Sequence, residues 1–441
     1  MAGAATVPVE PPSGGWRRRH VAFLLGTDEH IHRETRVGLV PRHLAELRRA
    51  LTACGLEPEL LVLAGAGGRA GFDDRAYTEA GARVIEEAEL ADLTLDVVHA
   101  LKEPTAYESR LPGPFLRIGA LHLASRPAGV CALVGRRNFA GIVDGGMVGG
   151  CAYLLDGGDR TPIVASMSRF AGSVAARKLV DGVRARGHSR GKVVVVGGGV
   201  AGTSAAETLT PIADELVIIE RHPPLYGDLA MKLYELGVAS FRVVPRITDE
   251  VLDGAIAVVF AHRSGALAAE KVCTLEQIRR MKPGAGIADI AIDQGGSILH
   301  DGYDERDDAL TARAKYRELL DGPFFYYAEV NMPREEPHDA SQVHGDAVLP
   351  YVTTLLMLVA RHGSPEAVVG ALLERPARTF DDAADVAGRS RFDCLVQDLR
   401  NGLQLAVVDD RVELLDPDLG RDRSLRRWLA DCAGASPPET P

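Results

Sequence analysis

The stretch "GKVVVVGGGVAGTSAAETL", residues 191–209, constrains the fold more than any other part of this 441-residue chain. Four consecutive valines suit a strand buried on both faces, three glycines suit a tight turn, and "VAGTSAAETL" suits a helix. Strand, glycine turn and helix in that order open a doubly wound parallel sheet. Gly197, Gly199 and Gly202 stand at Gly-x-Gly-x-x-Gly spacing. The first glycine permits the turn, the second lets backbone approach a pyrophosphate, and the third lets the helix pack on the strand. The helix N-terminus, opened by Val200 and Ala201, turns its N–H groups and positive dipole end toward phosphate oxygens. Glu220 ends the next strand candidate, "DELVIIE", 18 residues after Gly202. A carboxylate there accepts hydrogen bonds from ribose hydroxyls and repels a 2′-phosphate, so the cofactor expected is NAD, with NADP less favoured. Arg221 beside it weakens that preference without removing it.

The rest of the chain alternates in the same way. "HVAFLLG", "ELLVLAG", "LDVVHALKEP" and "FLRIGALHLA" read as strands or strand ends, and "PRHLAELRRALTACG" as a helix from Pro41 to a stop at Gly55. After the glycine turn, "FRVV", "AIAVVFA", "GIADIAI" and "FFYYAEV" continue the strands, and "HGDAVLPYVTTLLMLVARHG" turns helical. The tail "RFDCLVQDLRNGLQLAVVDDRVELLD" reads as a helix and a small hairpin. The fold class expected is α/β: two Rossmann-like domains with a cleft between them, the catalytic domain discontinuous in sequence. The boundaries drawn are a disordered lead-in at 1–18, a catalytic domain at 19–163 plus 338–441, and an NAD-binding domain at 164–337, entered through the helical stretch "ASMSRFAGSVAARKLVDGVRARG".

Composition removes other classes. A net charge of −11 argues against a phosphate-backbone binder, so no nucleic-acid partner is expected. No apolar run approaches the roughly 18 residues of a membrane span, so no membrane partner is expected either. The six cysteines are scattered without a Cys-x-x-Cys pair, which marks neither a disulfide framework nor a zinc site; no metal is expected, and a reducing cytoplasm is the default.

Eight stretches in order carry a family likeness: "ETRVGLVP", "AGAGGRAGFDDRAYTEAGA", "LKEP", "LHLA", "SMSRFAG", "GGGVAG", "MKPGAGIADIAIDQGG" and "NMP". Together they resemble the alanine dehydrogenase family. Its relatives include the dinucleotide domain of the proton-translocating transhydrogenase and the lysine-forming saccharopine dehydrogenases. The resemblance implies that Arg36 and Lys102 bind the substrate carboxylate, that His122 is the acid/base, and that Asp293 is an active-site carboxylate. Lys102 would also assist proton transfer. The residue types suit those roles: Arg offers a bidentate fork, Lys a point charge, and His titrates near neutral pH. The resemblance further implies that Ser168, Asn331 and Met332 approach the cofactor. Asp289, four residues before Asp293, is expected on the same side of one strand, fixing a neighbouring loop or helix end. His30, His32 and His99 carry no motif context and are read as structural.

The implied activity is NAD-dependent oxidation of an L-amino acid to a 2-oxo acid and ammonia, or its reverse, on a small-molecule substrate; a homo-oligomer is the family tendency. Departures from the family pattern fall at substrate and cofactor edges. "VDGG" places Asp144 where Tyr-Glu-Thr is usual, Arg169 follows the motif serine where an acid is usual, and "HRSGALAAEK" replaces a Pro-Gly-containing loop. Arg169 or Arg263 would suit a second carboxylate, which keeps open a saccharopine- or opine-type dehydrogenase acting on a secondary amine. A non-catalytic NAD-binding sensor is the alternative of another class, disfavoured because such a binder need not keep Arg36, Lys102, His122 and Asp293 together.

Overall fold

The computed structural model describes residues 15–26, 34–102, 104, 107–121, 131–156, 161–238, 240–262, 269–304, 309–378, 383–415, 427–428 and 431–432. The chain divides into two compact units, Met1–Ser166 with Glu336–Pro441, and Met167–Glu335. Each is an α/β unit built on one main parallel sheet.

In the first unit the parallel strands are β1 (His20–Leu25), β2 (Glu57–Leu63), β3 (Arg83–Ile85), β4 (Val97–His99), β5 (Phe115–Gly119) and β6 (Phe139–Asp144). In the second they are β7 (Gly191–Val196), β8 (Ala213–Ile219), β9 (Arg242–Val244), β10 (Ala257–Phe260), β12 (Gly286–Asp289) and β14 (Phe325–Tyr327). The two-residue strands β11 (Cys273–Thr274) and β13 (Ile298–Leu299) pair separately, and β15 (Leu403–Val408) and β16 (Arg411–Leu414) form a hairpin.

Both sheets have the same winding. The first runs β16-β15-β6-β5-β4-β1-β2-β3 and the second β14-β12-β10-β7-β8-β9. Strand order therefore reverses between β1 and β4 in one sheet and between β7 and β10 in the other. A crevice opens outside the C-terminal strand ends at such a reversal, because the connections leave it in opposite directions.

The patterning explains why both sheets are buried on two faces. Along β1, Val21, Phe23 and Leu25 enter one apolar cluster while Ala22 and Leu24 enter another. Along β7, Val194 and Val196 face one cluster and Val193 and Val195 the other. Period-two alternation with apolar residues at every position leaves neither face for solvent. Truncating a residue such as Phe23, fully buried here, costs about 3–5 kcal/mol.

The helix Pro337–His362 packs on the first sheet, placing Val348, Val352, Leu355 and Leu356 in the same cluster as β1. Among the described residues it is the one helix long and apolar enough to cross a membrane, and 78% of that window is buried inside the protein.

The terminal hairpin extends the first sheet through antiparallel pairing of β15 with β6. Its turn uses Asp409 and Asp410 at φ 47° and 59°, the two positive values a tight hairpin turn needs, and Asp tolerates them.

Two sequence readings are corrected. The strand read as "GIADIAI" stops at Asp289, because its carboxylate accepts the Ala291 N–H at 3.0 Å and caps a 3₁₀ turn, Ile290–Gln294. Asp293 therefore sits in that turn, not on the strand edge. Two cysteines do pair: Cys131 and Cys432, 301 residues apart, form a disulfide with Cα atoms 5.4 Å apart. Cys432 joins the cluster containing Leu133 and Val134, a tertiary placement that sequence spacing does not encode. Cys54, Cys151, Cys273 and Cys394 are free thiols.

Candidate active site

The strand reversal in the first unit carries the two cations. Arg36 lies in the segment between β1 and the helix Pro41–Ala53, and Lys102 follows β4 by three residues. Arg36 is almost wholly buried, which an unpaired guanidinium would not tolerate. Glu34 supplies the pairing. Its Oε1 accepts Arg36 Nε at 2.8 Å and the backbone N–H of Arg36 at 3.0 Å, and its Oε2 accepts Arg36 Nη2 at 2.8 Å. The fork is thus held along one edge. Burial alone would raise Glu34, but the adjacent Arg36 and then Lys102 outweigh it and hold the carboxyl well below its usual range.

Lys102 is positioned by a second buried pair. Arg117 on β5 and Glu108 are both fully buried, with Nε to Oε2 at 3.2 Å, and Arg117 Nη2 donates to the Lys102 carbonyl. A cation in the middle of "FLRIG" is therefore a strut under the Lys102 loop.

His122 lies outside the described residues, as do His30, His32 and Arg263. The residue before His122, Leu121, donates its N–H to Asp144 Oδ1 at 3.3 Å, and Gly146 N–H donates to the same oxygen at 2.8 Å. Asp144, at the departure "VDGG", thereby ties the end of β6 to the backbone leading into His122.

The strand reversal in the second unit carries the glycine turn. Gly197 has φ +106°, and a Cβ there would stand 2.9 Å from the backbone of Ala261 and His262. A Cβ on Gly202 would stand 1.8 Å from the Gly197 carbonyl oxygen, so the helix Val200–Leu209 can approach the strand only with glycine there. Gly199 is the N-cap of that helix, has no side-chain cap, and faces open space. Val200 and Ala201 form the first turn. Glu220 follows β8 directly; its Oε2 accepts the Gly198 N–H at 3.2 Å and its Oε1 the His222 N–H at 3.0 Å. Arg221, the neighbouring cation, is engaged by Glu270. An uncapped helix end, a cradle that a side chain would fill and a carboxylate at the second strand tip together fit an adenine dinucleotide.

Ser168 and Arg169 lie on the helix Pro162–Ala185, where the Arg169 carbonyl accepts Ser204 Oγ at 2.9 Å. Asn331 is buried at φ +62°, a left-handed conformation asparagine tolerates, and Met332 beside it is buried. Asp289 is fully buried. Besides Ala291 N–H it accepts Ser297 N–H and Ser297 Oγ–H, both at 2.9 Å. Burial pushes its carboxyl up to about 6, against those hydrogen bonds. It therefore anchors a helix start and a loop, the scaffolding role expected from sequence. Gly296, at φ +79°, is needed for another reason: a Cβ there would meet the Tyr316 ring at 2.4 Å.

Sequence reasoning passed over Glu34, Arg117, Glu108 and His344. The available signal was polarity out of place, an acid two residues before Arg36 and a cation inside a strand; His344, in the polar first half of the helix Pro337–His362, gave none. His99, read as structural, has Nδ1 2.9 Å from the Ile118 carbonyl oxygen, and burial pulls it down to about 4.

Comparison with known proteins gives a consistent answer. Residues 27–140 match the model for the alanine dehydrogenase/PNT N-terminal domain, and residues 168–370 that for the C-terminal domain. Alanine dehydrogenase of Bacillus subtilis (strain 168) is 28% identical over 368 residues, covering 78% of this chain and 88% of that protein. Alanine dehydrogenase 2 of Staphylococcus aureus (strain USA300) is 30% identical over 354 residues, covering 76% and 86%. Among solved structures, an L-alanine dehydrogenase superposes with a TM-score of 0.64 at 21% identity, over 94% of this chain and 100% of its own. A transhydrogenase from Sinorhizobium meliloti gives 0.60 at 18% identity, over 77% and 95%. The chain belongs to the alanine dehydrogenase/PNT family.

Proposed function

We propose that this protein is an NAD-dependent amino-acid dehydrogenase of the alanine dehydrogenase type, interconverting an L-amino acid with a 2-oxo acid and ammonia. The observation that carries the reading is the buried Glu34–Arg36 pair beside Lys102 at the β1/β4 strand reversal. A fixed guanidinium fork next to an ammonium suits one ligand group above others, a carboxylate.

Each unit has its own part. In the first, Arg36 and Lys102 hold the substrate carboxylate and so orient the α-carbon, while Glu34 keeps the fork from turning. His122 is the acid/base that removes a proton from the attacking water, assisted by Asp293, and returns one to the leaving amine. In the second, the glycine turn with Val200 and Ala201 receives the pyrophosphate and Glu220 the adenine-side ribose; Ser168, Asn331 and Met332 are assigned to the nicotinamide end. A nicotinamide held there would supply the hydride acceptor for the α-carbon that Arg36 and Lys102 orient. Engagement of Arg221 by Glu270 leaves Glu220 as the group a 2′-phosphate would meet, which favours NAD over NADP. The partners proposed are small molecules, with assembly into a homo-oligomer and no nucleic-acid or membrane partner; the cytoplasm is the placement proposed, and the Cys131–Cys432 disulfide stands against it. The domain assignment proposed is substrate binding in 19–163 with 338–441 and NAD binding in 164–337.

The test follows NADH absorbance across 2-oxo acids and aldehydes, with ammonia in one series and amino acids as amine donors in another. Oxidation with ammonia supports the proposal. Oxidation only with an amino-acid donor replaces it with a secondary-amine dehydrogenase, and NADH binding without oxidation replaces it with a sensor.

A further inference from the structure

Three residues of the helix Pro337–His362, Ser341, Gly345 and Asp346, pack on the stretch from Val37 to His43 that follows Glu34 and Arg36. Ser341 Oγ accepts the Val37 N–H at 3.0 Å. Asp346 Oδ1 lies 3.1 Å from His43 Nε2 and 2.7 Å from Arg42 Nη2. Gly345 lets the helix reach the His43 ring, which a Cβ would meet at 2.1 Å. His344 stands among these residues, on the same helix face one turn after Ser341. It is buried, with 4% exposure, and among the described residues neither Nδ1 nor Nε2 has a hydrogen-bond partner. Its ring stacks on His99 with centroids 5.8 Å apart and planes 6° apart. Burial and then the nearby His99 and Arg36 pull His344 well below its usual range, so the imidazole is neutral, with one N–H and one bare nitrogen.

A buried imidazole with both nitrogens unsatisfied is costly, and native interiors retain such groups where a ligand or water completes them. The neighbours tell which ligand: Ser341, one turn before His344 on the same helix, holds the backbone of Val37, the residue after Arg36. We infer that His344 is a specificity-determining residue that hydrogen-bonds a polar group of the substrate beyond its α-carboxylate. This rests on the reading of Arg36 as the carboxylate binder. The substrate class is accordingly a polar amino or oxo acid, bearing hydroxyl, carboxamide or a second carboxylate, and not an alkyl one. The group can belong to the side chain or to the amine partner.

The test compares matched substrates in the full-length enzyme: 3-hydroxypyruvate against 2-oxobutanoate, and 2-oxoglutarate against 2-oxohexanoate, each with ammonia and with amino-acid donors. Sites that hydrogen-bond a substrate group discriminate strongly against analogues lacking it. The wild type is expected to prefer the polar member at least tenfold in kcat/KM. H344L is expected to bring the polar-to-alkyl ratio of kcat/KM to near one, and H344N, which retains a donor and an acceptor, to restore part of it. A polar preference confined to the ammonia series places the group on the side chain; one confined to the amino-acid series places it on the amine. Equal turnover of both members by the wild type, or equal loss of both in H344L, overturns the inference. If H344L does not fold, the wild-type ratio and H344N decide. If nothing is turned over, the proposed activity fails separately, and thermal shifts with polar against alkyl L-amino acids, in the wild type and H344N, still decide the role of His344.

Discussion

The two strand reversals of this molecule, each proposed to hold a charged ligand, are built of opposite materials. At the β7/β10 reversal the site is made of backbone: Gly197, Gly199 and Gly202 remove side chains so that N–H groups and a helix end stand open. At the β1/β4 reversal the site is made of side chains: buried Glu34 and Arg36, His99 with the half-buried Lys102 three residues on, and buried His344, from three separate stretches of the chain. A backbone site is local and tolerates no added atoms. A side-chain site is assembled across the chain and depends on charge balance.

That contrast can be broken at either end. The largest effect expected is from Glu34→Gln, which takes the balancing charge from the buried Arg36. Removing one partner of a buried pair costs on the order of 3–5 kcal/mol. Chemical denaturation should show that loss in the first unit, with NADH affinity in the second unchanged. An equal loss of NADH affinity would mean the two sites are not energetically separate.

Acidification should also divide the units. His43 and His99 are each pulled down to about 4 by burial, His43 also by Arg42. Between about 6.5 and 4 the unfolded chain binds protons that these native imidazoles refuse, so their contribution is full above 6.5 and is lost as pH falls. Asp289 has the opposite sign. With a native value of about 6 against 3.8 for an ordinary Asp, its native form holds a proton the unfolded chain has released, so its stabilisation is present at low pH and lost as pH rises from about 4 to 6. Asp398, pushed up to about 6 by burial in the first unit, and Asp96, also raised by burial, oppose the histidines there, to which His344 and His362, both lowered by burial, add; in the second unit His262, lowered by burial, opposes Asp289. Hydrogen exchange at pH 4.5 and 6.5 should show β1 and β4 losing protection on acidification by more than β7 and β12, on the order of a few kcal/mol. Parallel change in both sheets would contradict the assignment.

The smallest of the three is Gly202→Ala. Its Cβ would stand 1.8 Å from the Gly197 carbonyl oxygen, so the helix must retreat from the strand. Overpacking of this kind costs about 1–3 kcal/mol, which corresponds to roughly 10–100-fold in NADH affinity by fluorescence titration. Substrate-carboxylate binding in the first unit should hold.

The same contrast explains what could be read in advance. The glycine turn, Glu220 and the alternation of strands were legible, because a turn that only glycine can make and a strand buried on both faces leave local signatures. Arg36 and Lys102 were picked out through short motifs at strand ends, and their carboxylate-binding role is the one proposed. Glu34 stood in plain view two residues from Arg36, yet its role depends on the burial of both, which sequence does not state. The Arg117–Glu108 strut, the His99–His344 stack and the Cys131–Cys432 pair join segments brought together only by folding. The overextended strand at 286–292 failed for a local reason: a side-chain cap from Asp289 outcompeted the apolar pattern after it.

The most direct test of the account is the KM split in Arg36→Lys, measured as NADH oxidation with a 2-oxo acid and ammonia. Lysine keeps the charge but loses the fork that Glu34 holds and the carboxylate meets. The account predicts a KM for the oxo acid raised at least tenfold, with the KM for NADH within about twofold of wild type. An unchanged oxo-acid KM, or a loss that falls equally on NADH, would contradict it.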